Sequence, residues 1–156
     1  MVDAQDDLDW TQVEEGDNTV VREAPDEAPA IPYDLEERTA KFGEAIIDFA
    51  QVIPVNPVTT RLISQLVGCG TSVGANYCEA NDHVSTKDFL YKAGTCRKEA
   101  RETQYFLRMI VKARPELADQ GRKLWREARE LNLIFSAIWR KGRSTQKSSE
   151  SNTSNF

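Results

Sequence analysis

Histidine occurs once in the 156 residues, at His83, and cysteine three times, at Cys69, Cys78 and Cys96. That scarcity excludes most site chemistry. No Cys-x-x-Cys pair is present, so the spacing offers no zinc site. A di-iron bundle needs two Glu-x-x-His motifs and two further glutamates; Glu79 and His83 stand four apart, without a second copy. A lone histidine in a polar turn reads as a solvated turn residue. No spacing supports a nucleophile–base pair, and no glycine-rich phosphate loop follows a strand, because no strand pattern occurs. The reading is therefore of a protein that is not an enzyme, with no catalytic residue, no metal and no cofactor. Long apolar runs are also missing: none approaches the roughly 18 residues of a membrane span. The N-terminus is acidic and lacks the apolar core of a secretory signal. We expect reduced thiols, no membrane contact and a soluble, cytoplasmic protein.

What the chain does contain is segregated charge. The net charge is −5. Residues 1–32 hold ten acids against one base, Arg22, whereas residues 33–143 hold eighteen Lys or Arg against fourteen acids. Lys147 and Glu150 cancel in the remainder. An acidic segment thus precedes a mildly basic body. The first 32 residues also carry Pro25, Pro29 and Pro32 and few large apolar side chains, too little to offset ordering entropy. The expected organisation is a disordered acidic arm over 1–32, a helical domain over 33–143 and a disordered Ser/Thr/Asn-rich tail over 144–156. Trp10, with Leu8 and Val13, is either a short docking motif or an isolated aromatic in a solubilising arm.

The body reads as four helices. The first is expected from an Asp34 cap to about Val52, with Leu35, Phe42, Ile46, Phe49 and Ile53 inward. Asn56 followed by Pro57 is a strong start signal for the second. On that helix Leu62, Leu66, Cys69, Val73, Asn76 and Ala80 follow at alternating steps of four and three. Phe89, Ala93, Cys96, Ala100, Thr103, Leu107 and Ile110 do the same on the third helix, which opens at Ser85 with Asp88 as a capping-box partner. Such spacing keeps a narrow seam on one side of each helix, and the small residues on both seams call for close backbones. The short link Asn81-Asp82-His83-Val84 makes the pair antiparallel. Gly68, Gly70 and Gly74 inside the second helix point to a close helix crossing or a subunit contact. The fourth helix is expected from Ala118 to Lys141, with Leu124, Ala128, Leu131, Phe135 and Ile138 inward, Trp125 and Trp139 widening the apolar arc, and Gly142 as its stop. Asn76, Glu79, Glu99 and Thr103, on or beside the facing sides of helices two and three, are expected to be paired, and a pairing such as Glu99 with Asn76 would fix the register. The fold class is all-α, an antiparallel up-and-down four-helix bundle. Tyr91, Tyr105 and Met109 leave apolar surface on the back of helix three, which suggests self-association.

Several runs are characteristic: Gly70-Thr71-Ser72-Val73-Gly74-Ala75-Asn76-Tyr77 with Glu79-Ala80, Lys87-Asp88-Phe89, Lys98-Glu99-Ala100-Arg101-Glu102-Thr103 with Tyr105-Phe106-Leu107, and Glu130-Leu131 before Ile134-Phe135. Over roughly residues 35–140 the chain resembles the bacterial four-helix bundle proteins first noted in intervening sequences of large-subunit ribosomal RNA genes. Gly68 and Cys78 depart from the usual pattern. The resemblance implies a ring-like homopentamer. It also implies kinship with the accessory variability determinant of diversity-generating retroelements, which binds nucleic acid and a partner reverse transcriptase through a basic surface.

Two basic stripes fit that implication. Arg97, Arg101, Arg108 and Lys112 share one side of helix three; Arg122, Arg126, Arg129 and Arg140 share the side of helix four opposite its apolar arc. As a binding surface they would attract RNA or DNA phosphates. As a solvated face they would be neutralised by intrahelical pairs such as Lys98–Glu102 and Arg126–Glu130. The expected function is a non-enzymatic oligomeric scaffold for nucleic acid or a nucleic-acid enzyme such as a reverse transcriptase, with the acidic arm competing for the stripes. The alternative is a protein–protein adaptor without nucleic-acid binding.

Overall fold

The computed structural model describes Trp10 and residues 34–153. The remainder of the expected acidic arm lies outside the described residues, as do residues 154–156. Four α-helices and one short turn account for the chain from Asp34: α1 (Leu35–Val52), α2 (Pro57–Asn81), α3 (Thr86–Ala113), a 3-10 turn (Pro115–Leu117) and α4 (Ala118–Thr153). No strand occurs among the described residues.

The helix starts follow from side chains that satisfy otherwise orphaned amides. The Asp34 carboxylate accepts from the Glu37 N–H at 2.9 Å. Asn56 Oδ1 accepts from both Val58 and Thr59 N–H groups at 2.9 Å. Thr59 completes that box, because its Oγ1 accepts the Asn56 N–H at 2.9 Å and donates to the Pro54 carbonyl at 2.7 Å. Pro57 stands at the first helical position, where a missing N–H is harmless. Ser85 Oγ caps α3 by accepting from Asp88 N–H at 3.1 Å. The returning Asp88 carboxylate reaches the Val84 N–H, one residue before the cap, at 3.4 Å.

Cross-helix neighbours fix the topology. Gly70 meets Ile46 and Gly74 meets Thr39, so α1 and α2 run antiparallel. Cys96 Sγ lies 3.4 Å from the Val73 carbonyl, and Lys92 pairs with Glu79, which makes α2 and α3 antiparallel. Gly121 faces Val111 while Gly142 faces Leu90, so α4 runs back along α3. Arg38 of α1 forks onto Glu127 of α4 through Nε at 2.6 Å and Nη2 at 2.9 Å, closing the circuit. The result is an up-and-down four-helix bundle. Its core holds Phe42, Ile46, Leu66, Val73, Leu107, Ile110, Leu131 and Phe135, all nearly inaccessible. The α3 seam is buried from Ala93 to Ile110, with Phe89 only half-buried at its start. On α2, Leu66, Cys69, Val73 and Ala80 are buried, and Leu62 and Asn76 lie at the seam's edge.

Two expectations about single residues need correction. Asn76 does not pair with Glu99; its amide donates to the Ser72 carbonyl of its own helix at 2.9 Å. The seam is held instead by close small residues and by Cys96 against the Val73 carbonyl. Nor does α4 stop at Gly142, and the helix continues through the first ten residues of the expected tail. Gly142 is a packing glycine, since a Cβ there would collide with the Leu90 side chain. Beyond it the hydroxyls of Ser144 and Thr145 donate back to the Lys141 carbonyl at 2.8 and 3.1 Å, which keeps this Ser-rich run compatible with a helix.

The three glycines of α2 separate by their surroundings. A Cβ at Gly70 would lie 2.8 Å from Ile46 Cγ2, and one at Gly74 would lie 3.3 Å from the Thr39 carbonyl oxygen, whereas nothing lies within 4 Å of one at Gly68. Gly70→Ala should therefore cost about 1–3 kcal/mol through overpacking. Gly68→Ala should be neutral or stabilise by up to about 1 kcal/mol through helix propensity. Urea midpoints measure both, and equal midpoints for the two variants would contradict the close crossing.

Partial burial, with Glu102 adding to it, pushes the Glu99 carboxyl above its ordinary value of 4.5. The folded chain then holds a proton that the unfolded chain has released. That contribution to stability is present below the unfolded value and is lost as pH rises through the folded one. Glu99→Gln should be more stable than the parent chain at pH 7, with the gap closing below about pH 4.5. Thermal unfolding at both pH values checks the sign.

Candidate nucleic-acid interface

Charge is divided between the two halves of the bundle. By sequence α3 carries seven Lys or Arg against three acids, and α4 carries eight against four. The balance on α1 is two against four, and on α2 one against one. Every excess positive charge thus sits on the last two helices.

The contacts between α3 and α4 show where their stripes fall. The Asn132 amide donates to the Arg97 carbonyl at 2.8 Å, and Trp139 packs on Gly94, where a Cβ would lie 3.1 Å from the indole Nε1. At about 100° per residue, Arg97, Arg101, Arg108 and Lys112 span about 60° on the α3 flank next to α4. Arg122, Arg129 and Arg140 span about 20° on the outer flank of α4 next to α3, and Arg126 stands about 40° farther round. The two stripes therefore border one outer seam. All eight side chains are exposed except Arg97, which is half-buried.

None of the eight forms an ion pair among the described residues. The pairs that do form are Arg38–Glu127, Lys41–Glu37, Lys92–Glu79 and Arg114–Glu116. Lys98–Glu102 and Arg126–Glu130, which would have neutralised the stripes, are not made. Aromatic and apolar surface accompanies the basic residues: Tyr105 is 57% exposed on α3 and Leu133 49% exposed on α4. Trp139 receives two guanidinium groups, with Cζ of Arg97 and of Arg143 at 4.5 and 4.7 Å from its ring centroid. Arg143 was not among the stripe residues expected from sequence. Its spacing of four from Trp139 was the available signal, obscured by the expected helix stop at Gly142.

The opposite side of the molecule has a different character. Between α1 and α2 runs an open groove of about 640 Å³ bordered by Asp34, Glu36, Glu37, Glu44, Gly74 and Cys78. Cys78 is exposed there, with its Sγ 4.0 Å from a Glu36 carboxylate oxygen. The other two thiols are sealed in the α2/α3 seam, where burial pushes Cys69 up to about 11 and Cys96 up to about 12. Neither reaches the thiolate state needed for nucleophilic work near neutral pH. Among the described residues no three His, Cys, Asp or Glu side chains come together as metal ligands. No described helix is long and apolar enough to cross a membrane.

Residues 33–137 match the sequence profile described as 23S rRNA-intervening sequence protein. Among solved structures, the chain is similar to a crystal structure of a protein with unknown function from the S23 ribosomal protein family of Bacteroides thetaiotaomicron VPI-5482. Sequence identity is 25%, the match covers 67% of this chain and 96% of that one, and the TM-score is 0.59. Curated protein sequences give no match.

The ion-pair pattern separates structural from spare arginines. Arg101→Gln and Arg129→Gln should leave the unfolding free energy within about 0.5 kcal/mol of the parent. Arg38→Gln should lower it by about 1 kcal/mol, because a forked, half-buried pair between α1 and α4 is lost. Denaturant unfolding of the three variants distinguishes them, and a large loss in Arg101→Gln would mean that the stripe holds the fold.

Proposed function

The chain belongs to the 23S rRNA-intervening sequence protein family, and from that premise we propose that it is a non-enzymatic helical scaffold binding nucleic acid through the outer α3/α4 seam. The observation that carries this reading is the run of eight Lys and Arg side chains without carboxylate partners. A solvated face on a bundle of this charge density gains by interleaving acids four residues away, as Lys41 and Glu37 do on α1. Here the acids are present in sequence and the pairs are not made. Guanidinium groups left unpaired keep their forked donors for phosphate. The family's name ties it to ribosomal RNA, which makes RNA the first ligand to test. A retroelement reverse transcriptase carrying its own nucleic acid is a second partner that the same surface suits.

Self-association belongs to the same proposal. An acidic α1/α2 side and a basic α3/α4 side on one chain favour head-to-tail contacts, which close into rings. A ring-like homopentamer would repeat the basic seam five times and add the fields of its copies. The acidic segment over residues 1–32, with its ten acids, would then compete for the seams until nucleic acid displaces it.

A protein–protein adaptor without nucleic-acid binding draws on a different observation, the exposed Tyr91 and Tyr105 on the back of α3. Salt discriminates the two readings. Phosphate binding releases counterions and weakens steeply with salt, whereas apolar docking does not. Single-stranded RNA and duplex DNA should be titrated at several salt concentrations into the full chain and into a chain lacking residues 1–32. We expect the shorter chain to bind more tightly, with a log–log slope of about −0.7 per neutralised phosphate on single strands. Absence of binding by both chains would end the nucleic-acid reading and leave the adaptor. Equal affinity of the two chains would dismiss competition by the acidic segment.

A further inference from the structure

Within the basic seam one place differs from the rest. Arg97 of α3 and Arg143 of α4 approach the same indole, Trp139, at 4.5 and 4.7 Å from its centroid. The two guanidinium carbons are therefore no more than about 9 Å apart, within the Debye length of about 10 Å at 0.1 M salt. Two like charges held that close, with no carboxylate pairing either of them, repel unless an anion joins them. The other stripe arginines are exposed, and among the described residues Arg140 donates only to the Ser136 carbonyl of its own helix at 3.3 Å, but Arg97 and Arg143 rest on a packed aromatic platform. Trp139 is half-buried against the backbone of Gly94, and the neighbouring turn of α3 is tied to α4 by the Asn132–Arg97 hydrogen bond. A guanidinium stacked on an aromatic face keeps its N–H edge directed away from the ring, where it can meet an oxyanion in its plane.

We propose that Arg97 and Arg143, positioned by Trp139, form a phosphate clamp across the α3/α4 seam. Its ligand is a tetrahedral phosphate oxyanion bridged by one guanidinium edge from each helix. The clamp deepens the nucleic-acid reading, in which the phosphate belongs to an RNA or DNA strand, though a free phosphate has the same chemistry. Arg97 and Arg143 are the binding residues; Trp139 is a positioning residue that acts through them. The stacked indole makes this the point in the seam where least side-chain freedom remains to be lost on binding, so phosphate should seat here before it seats on the outer stripe arginines.

Two arms test the clamp and separate it from the reading on which it rests. In the first, full-length protein labelled with nitrogen-15 is titrated with sodium phosphate and, at matched ionic strength, with sodium chloride. Phosphate should produce saturable shifts of the Trp139 indole N–H and of the Arg97 and Arg143 Nε–H signals that chloride does not. Arg97→Ala and Arg143→Ala should each weaken this response about 3- to 10-fold. Arg143→Lys, which keeps the charge without the stacked fork, should recover only part of it. Phosphate shifts no larger than those of chloride, or shifts that persist in both alanine variants, would overturn the clamp. Trp139→Phe keeps an aromatic platform and should retain the shifts of the Arg97 and Arg143 Nε–H signals.

In the second arm the same alanine variants, and the double variant, are titrated with a single-stranded RNA across a salt series. The double variant should lose roughly 0.7 from the log–log slope, because the two arginines share one phosphate. Arg126→Ala, farther from the seam, should leave the Trp139 signal untouched. RNA binding by the parent chain without phosphate shifts at Trp139 would sink the clamp and leave the nucleic-acid reading standing. Phosphate shifts without any RNA binding would do the reverse, leaving a clamp for free phosphate.

Discussion

The bundle depends on how closely α1 can approach α2. At Gly70 the backbone of α2 lies so near Ile46 that even a methyl group would intrude, and at Gly74 it lies against the backbone of Thr39. Ile46 is completely buried by that approach and reaches the centre of the core. Glycine inside a helix costs up to about 1 kcal/mol against alanine, and α2 carries three. Two of them exchange that cost for a well-filled core along the α1 crossing. With α1 drawn in, its Arg38 reaches Glu127 on α4 and closes the ring of helices. A wider α1–α2 spacing would open that closure.

A second consequence concerns where charge can go. The middle of the α2/α3 seam is built from Cys69, Val73, Ala93, Cys96, Ala100 and Thr103, all buried, and leaves no room there for a long charged side chain. Its buried polar group, Thr103, donates to the Glu99 carbonyl of its own helix at 2.8 Å. Apart from Lys92, which pairs with Glu79 of α2, the long cationic side chains of the α3 stripe fall on the flank beside α4. On α4 the apolar arc from Leu124 to Ile138 is turned inward, which leaves Arg122, Arg129 and Arg140 on the flank beside α3. The joint basic face follows from core packing on both helices, with no separate device needed to assemble it.

The periodic elements were legible in the sequence, and the reason is physical. Heptad spacing with small residues leaves one geometric solution for α2 and α3, and the Asn56-Pro57 and Ser85 starts are local signals independent of tertiary context. The inward residues of α1, from Leu35 to Ile53, are buried as their period requires. What could not be read was anything decided by a neighbour distant in sequence. Gly142 has the local character of a helix stop, and only Leu90, more than fifty residues earlier, makes it a packing residue. Val73 faces Cys96 and Glu79 faces Lys92, a register that sets Asn76 away from Glu99, and an amide four residues from the Ser72 carbonyl has a partner at hand without crossing the seam. The forked pair of Arg38 and Glu127 joins positions 89 residues apart, and no local pattern marks it.

Gly142 also connects the fold to the basic surface. Because it lets α4 pass Leu90 without breaking, the helix continues and Arg143 stands one turn beyond Trp139, on the same side of α4. Had the helix ended there, residue 143 would belong to an irregular segment with no fixed relation to the indole. Gly94 plays the matching part on α3: it removes the side chain that would hold Trp139 away, so the ring settles beside Arg97. Two glycines, one on each helix, thus bring three side chains into one arrangement. Packing at this end of the seam both completes the bundle and seats Arg97 and Arg143 on a single indole.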